Sequence, residues 1–103
     1  MKVLARNYRC PVGEADIIVL DKNTRHEQGG ETIAFVEVKT RSSDRYTNPQ
    51  AAVNADKRRR MRKIADYYLA MRNTDGFNVR FDIVAVVLTK ETAPKITYIQ
   101  DAF

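Results

Sequence analysis

A chain of 103 residues, 44% hydrophobic and 30% charged, has the make-up of one soluble domain that buries a modest core without disulfide staples. Its longest aliphatic run, Ile83 to Leu88, falls far short of the ~20 residues a membrane helix needs, and its one cysteine, Cys10, excludes an internal disulfide or a cysteine metal cluster. The formal net charge of +5, with a pI of about 9.6, favours a polyanionic partner, nucleic acid first, over an acidic small substrate.

Met1 to Leu4 leads straight into Ala5-Arg6-Asn7-Tyr8-Arg9 with no apolar stretch for a signal peptide, so a cytoplasmic address is the expectation. Leu4 to Arg9 suits a short strand, Pro11-Val12-Gly13 a turn, and Glu14 to Leu20 a second strand. The polar loop Asp21 to Glu31 follows; His26 within it has no companion histidine and is assigned nothing. Thr32 to Thr40 is a third strand, apolar enough to be central and covered on both faces. After a polar connection from Arg41 to Gln50, with Asn48-Pro49 as a turn signal, Asn54 caps a helix from Ala55 to about Arg72. Met61, Ile64, Ala65 and Tyr68 recur along it at helical spacing. Asn73-Thr74-Asp75-Gly76 stops it. Val79 to Leu88 and Ile96 to Ile99 supply two more strands. Three strands, a helix and two strands describe an α/β or α+β domain on a mixed sheet of about five strands.

Within the apolar third strand, Glu37 and Lys39 share one face, roughly 7 Å apart along the chain. If the second and third strands form a hairpin with Leu20 opposite Ile33, Asp16 falls opposite Glu37 and Glu14 opposite Lys39. A slip of two residues would change the partners but not the faces. Opposed carboxylates at the end of an apolar sheet need a counter-charge or a proton. Lys39 can neutralise one. The remaining charge suits a divalent cation, and oxygen-only ligation suits Mg²⁺ or Mn²⁺. Such a site fits phosphodiester hydrolysis, with an ammonium beside the attacking water. The same residues also suit a purely structural charge ladder.

Lys57, Arg58, Arg59, Arg60, Arg62 and Lys63 crowd the first half of the helix, led up to by Arg41 and Arg45. A solvated helical face explains most such runs. Cations at a helix N-terminus oppose its dipole, however, and that placement makes more sense where phosphates arrive. The six, with Arg41 and Arg45, are therefore candidate nucleic-acid contacts. Tyr68 belongs to the core stripe, Tyr67 to the surface, and Tyr46 is a lesser candidate for base stacking. A helical crossover would make the Val79–Leu88 strand parallel to the third strand, which keeps Asp82 away from Lys39; pairing with Arg80 is expected instead. Cys10 reads as a small packed side chain.

Gly13-Glu14-Ala15-Asp16, a hairpin and then Glu37-Val38-Lys39 resemble the Asp…Glu-x-Lys signature of the PD-(D/E)xK nuclease superfamily. Over nearly the whole chain the sequence resembles the YraN family, itself similar to archaeal Holliday junction resolvases. Leu4 to Cys10, Phe35 to Arg41, Val79 to Val84 and the closing Asp101-Ala102-Phe103 carry the likeness, and the Ala-Phe ending leads one to expect a complete C-terminus. The resemblance implies a restriction-endonuclease-like fold and a divalent-metal-dependent nuclease acting on DNA rather than RNA, with branched DNA as the preferred substrate. It implies Asp16 and Glu37 as metal ligands, the Val38 carbonyl as a third, Lys39 on the water or transition state, and Glu14 on Lys39 or a bound water. A nucleic-acid-binding module on the same fold is the alternative, and a structural subunit a third. Two departures stand out. Tyr46-Thr47 replaces the family's Phe-Gly, and the family's opening helix, with a further acidic residue, has no counterpart here. One sheet face is therefore expected to be uncovered, through truncation, a later start or closure as a homodimer.

Overall fold

The computed structural model describes residues 1–22, 30–42, 54–72, 76–90 and 93–103. The element order is β1 (Lys2–Cys10), β2 (Gly13–Asp21), β3 (Thr32–Ser42), α1 (Ala55–Arg72), β4 (Asn78–Leu88) and β5 (Lys95–Ile99). The strands lie in chain order in one sheet, with β3 in the middle. β1–β2, β2–β3 and β4–β5 are antiparallel, whereas β3 and β4, joined through α1, are parallel. Parallel neighbours need such a crossover, because no tight turn can reverse the chain twice. This mixed sheet with one helix is the expected α/β architecture and is restriction-endonuclease-like. Cys10, Arg45, Tyr46 and His26 divide as follows: Cys10 is half-buried beside the β1–β2 turn, and the other three lie outside the described residues.

Helix α1 is built as its apolar period requires. Asn54 caps it, its Oδ1 accepting from the Lys57 amide at 2.9 Å. Met61, Ile64, Ala65 and Tyr68 are buried against Ala15, Ile18, Ile33 and Phe35 of β2 and β3. Tyr68 sets its ring edge-on to both Tyr8 and Phe35, at centroid distances of 5.2 and 5.8 Å, an arrangement that adds to the area each ring buries. Gly13 starts β2 with φ +152°, and a Cβ there would stand 3.0 Å from Ile64 Cδ1. The absence of a side chain lets the start of β2 lie against the helix.

The opposite sheet face carries a smaller apolar cluster, Val19, Ala34 and Val36 with Ile17 and Val84. Beside it lies a buried polar network. Arg80 donates from Nε and Nη2 to the two oxygens of Asp82, 2.9 Å each, and from Nη1 to Asp21 at 3.0 Å. The Tyr98 hydroxyl and the Asp101 amide donate to the same Asp82 carboxylate. Asp82 raises the Arg80 guanidinium above the ordinary arginine range, against the opposing effect of burial and with help from Asp21. Burial first, then Asp82, raises the Tyr98 phenol above its usual value. The pairing of Asp82 with Arg80 is thus as the sequence suggested. The C-terminal residues return to the helix side of β4: the Ala102 amide donates to the Phe81 carbonyl at 2.8 Å, and Phe103 stacks on Phe81. On the opposite face, farther out than the Arg80 network, Val3, Leu88 and Ile96 remain 47%, 46% and 68% exposed. Among the described residues no helix covers it, and none is long and apolar enough to cross a membrane.

Candidate metal and nucleic-acid site

The β2–β3 ladder has the register expected, Leu20 opposite Ile33, and runs to Ile17 opposite Val36. There it ends. The expected backbone pairs Asp16–Glu37 and Glu14–Lys39 are not part of it. The cause lies in β1–β2. Asn7 sits at φ +50°, between the Arg6–Ile17 and Tyr8–Ala15 pairs. Across this point the strict alternation of faces fails, since Ala5 and Tyr8, and likewise Ala15 and Ile18, all pack into the helix-side cluster. In place of a ladder bond, Asp16 Oδ2 accepts the Val38 amide at 2.8 Å. A carboxylate thus bridges two strands where their backbones part.

Glu37 is 7% exposed, on the helix side of β3. Its Oε1 lies 3.2 Å from Lys39 Nζ and also accepts from Lys57 Nζ. Burial works against the Lys57 charge, but Glu37 foremost, with Asp16, outweighs it and raises the ammonium above the ordinary lysine range. Glu14 turns instead to Arg9, its partner across β1–β2, at 3.7 Å on the surface; it makes no ion pair with Lys39. Glu14, Asp16, Glu37, Lys57, Arg60, Gly13 and Met61 line one cleft of about 280 Å³ at the start of α1.

The structure therefore brings Asp16, Glu37, Lys39 and Lys57 together and leaves Glu14 at the rim. Asp82 is level with Val36 on the other sheet face, bound up in the Arg80 network. Lys57 is the residue whose place sequence reasoning missed: read as one phosphate contact among six, it points inward to Glu37. Its signal was available, because Lys57 stands one helical turn before Met61, on the same stripe as Ile64 and Tyr68. The other cations behave as a surface. Arg58, Arg59, Arg60, Arg62 and Lys63 are exposed, with Arg59 3.3 Å from Asp56. Arg59, Arg60 and Lys63 line a second groove with Val12 and Asp56, and Arg60 borders both hollows. Arg41, at the far end of β3, donates to the Thr40 carbonyl.

Among the described residues no three histidine, cysteine, aspartate or glutamate side chains converge as a metal-ligand set. The donors facing the cleft between the strands are the carboxylates of Asp16 and Glu37, all oxygen. That set matches Mg²⁺ or Mn²⁺, which bind through one or two carboxylates and complete their shell with water and phosphate, and does not match a zinc site.

A family model described as uncharacterised protein family UPF0102 matches residues 1–86, from β1 through most of β4 and across every residue of the cleft. The chain belongs to the UPF0102 family. This is the family to which the YraN resemblance points. A UPF0102 protein of Syntrophus aciditrophicus is 48% identical over 99% of this chain and 73% of its own length. One from Moorella thermoacetica is 44% identical over 99% of this chain and 79% of its own length. Another, from Solibacter usitatus, is 45% identical over 98% of this chain and 70% of its own length. These UPF0102 relatives are longer than the present chain.

Proposed function

We propose that this UPF0102 chain is a divalent-metal-dependent nuclease domain that hydrolyses phosphodiester bonds in DNA, branched DNA in particular. The observation that carries the reading is Glu37: a nearly buried carboxylate, flanked by Lys39 and facing a cleft shared with Asp16, beneath a helix whose exposed side is cationic. Setting one buried and one half-buried carboxylate beside two ammoniums yields little stability compared with apolar packing, so such a cluster is retained more readily for chemistry than for folding.

Asp16, Glu37 and the Val38 carbonyl would hold Mg²⁺ or Mn²⁺. Bound there, the metal supplies Lewis-acid polarisation of the phosphate and a more acidic water. The Asp16–Val38 bond holds the Asp16 carboxylate beside the residue whose carbonyl would be the third donor. Lys39, held on β3 beside Glu37, orients the attacking water and balances the charge that develops on the phosphate. Arg58, Arg59, Arg60, Arg62 and Lys63 bind backbone phosphates without reading sequence. The preference for DNA and for branched DNA draws on the resolvase resemblance; a cytoplasmic address and a homodimeric form complete the reading, the latter fitting the exposed apolar residues Val3, Leu88 and Ile96. A second reading, a binding module without chemistry, is favoured by one observation: Lys39 and Lys57 already neutralise Glu37.

The test is cleavage of labelled four-way-junction and linear duplex DNA with Mn²⁺ or Mg²⁺, comparing the intact chain with Glu37→Ala and Lys39→Ala. Metal-dependent cutting lost in both variants is the expected result. Salt-sensitive binding without cutting, equal in all three proteins, would establish the binding module instead.

A further inference from the structure

The two carboxylates of the cleft, Asp16 and Glu37, have their counter-charges before any ligand arrives. Asp16 and Glu37 supply two negative charges, Lys39 and Lys57 two positive ones, and Glu14 at the rim is offset by Arg9. A divalent cation entering this cleft alone would leave two uncompensated charges in a partly desolvated space that also contains Arg60. A cation entering with a phosphodiester would not, provided one ammonium lets go of Glu37.

The two ammoniums differ in their freedom to do so. Lys39 is fixed on the central strand, two residues from Glu37 and paired in the parallel ladder with Ala85; its side chain is 17% exposed. Lys57 comes from the first turn of a different element, where Asn54 anchors its backbone amide, and its side chain is 30% exposed. It can swing on four methylenes without moving the helix. On its outer side lie Arg60 and the groove shared by Arg59 and Lys63, where a nucleic-acid backbone would pass.

Building on the metal-dependent reading above, we propose that Lys57 is a displaceable counter-ion: it neutralises Glu37 in the empty cleft and moves onto a backbone phosphate when nucleic acid and metal arrive, so that the two bind as a unit. Lys57 is then a positioning residue with a defined thermodynamic signature. Each ligand raises the affinity of the other by the same factor, and Lys57 is a main source of that coupling.

The experiment measures Mn²⁺ affinity by calorimetry, alone and with a short phosphorothioate-linked duplex that resists hydrolysis. It uses the intact chain, Lys57→Met, Lys57→Gln and the charge-conserving Lys57→Arg, each checked for folding by circular dichroism. In the intact chain the duplex should tighten Mn²⁺ binding about tenfold or more. Lys57→Met and Lys57→Gln should bind Mn²⁺ more tightly without DNA, by about tenfold, and lose most of the enhancement by DNA, while Lys57→Arg keeps the coupling. Folded Met and Gln variants that bind Mn²⁺ no more tightly than the intact chain, or that keep the full DNA enhancement, overturn the role of Lys57 and leave the metal site standing. Absence of Mn²⁺ binding in every protein, with and without the duplex, overturns the metal reading together with it.

Discussion

Replacing Asp82 by alanine tests the physical account of the sheet's second face. Asp82 has no exposed surface and accepts four bonds: two from Arg80 at 2.9 Å, one from the Tyr98 hydroxyl and one from the Asp101 amide. Alanine removes both acceptor oxygens and with them all four bonds, and leaves Asp21, at 3.0 Å, as the one carboxylate on the buried guanidinium. Breaking a buried ion pair by deleting one partner costs about 3–5 kcal/mol. Because Asp21 still holds one nitrogen, the lower part of that range, about 3–4 kcal/mol, is expected. That is a large share of the stability of an ordinary domain and corresponds to a fall in Tm of roughly 12–30 °C. Asp82→Asn keeps the shape but turns an amide NH₂ towards donors, and should cost about 2–3 kcal/mol. Urea and thermal unfolding followed by circular dichroism read both. A loss below about 1 kcal/mol for Asp82→Ala would refute the reasoning, because no repacking within the native sheet can restore the two acceptor oxygens to the buried guanidinium. At a temperature where the variant stays folded, its Mn²⁺ affinity should equal that of the intact chain, since Asp82 and Glu37 lie on opposite sheet faces.

Tyr98→Phe should change the alkaline limb of stability. The phenol is raised in the folded state, so its contribution is present below the ordinary tyrosine pKa of about 10 and is lost as pH climbs above it; urea midpoints between neutral pH and pH ~11 should fall more steeply for the intact chain than for the phenylalanine variant. Asp16→Ala leaves the Val38 amide without its acceptor, which predicts a loss of about 1–2 kcal/mol and faster hydrogen exchange at Val38. Asn54→Ala should cost about 1 kcal/mol in thermal unfolding through loss of the α1 cap. Changing Arg58, Arg62 and Lys63 together to glutamine should flatten the dependence of log K on log salt for duplex DNA by about 2.7, with an unaltered slope counting against phosphate contacts there.

The order of elements, the α1 core stripe and the β2–β3 register were legible because each rests on local periodicity: apolar residues every three or four along α1, and near-continuous apolar runs in β2 and β3. The parallel placement of β4 followed from the crossover alone, and with it the exclusion of Asp82 from the Glu37 face. The pairs beyond Ile17 were not legible. Counting assumes unbroken alternation, and the left-handed backbone of Asn7, in a neighbouring strand, changes which residues face the helix on both β1 and β2. Lys57 was misplaced for a different reason. A run of six cations in seven positions reads as one surface; the apolar stripe of α1 marks Lys57 as inward, and the register of α1 against Glu37 supplies the charge it meets. Lysine has a stem long enough to pack with the apolar stripe and a head that must find a charge, and the sequence does not say which charge.

The Arg80 network also sets a timetable for folding. Asp21 gains its bond from Arg80, made 59 residues later, and Asp82 its bonds from Tyr98 and Asp101, 16 and 19 residues later. Synthesis proceeds from the N-terminus, so β1, β2, β3 and α1 can close the helix-side core while the other face still holds hydrated carboxylates. Limited proteolysis of ribosome-arrested chains ending before and after residues 98–101 would mark the change, with β4 protected only in the longer ones. Until then the outer edge of β4 offers unpaired backbone to any passing strand. Tyr98 of β5 therefore acts as a latch whose late arrival completes the Asp82 network and pairs the outer edge of β4 in a single step.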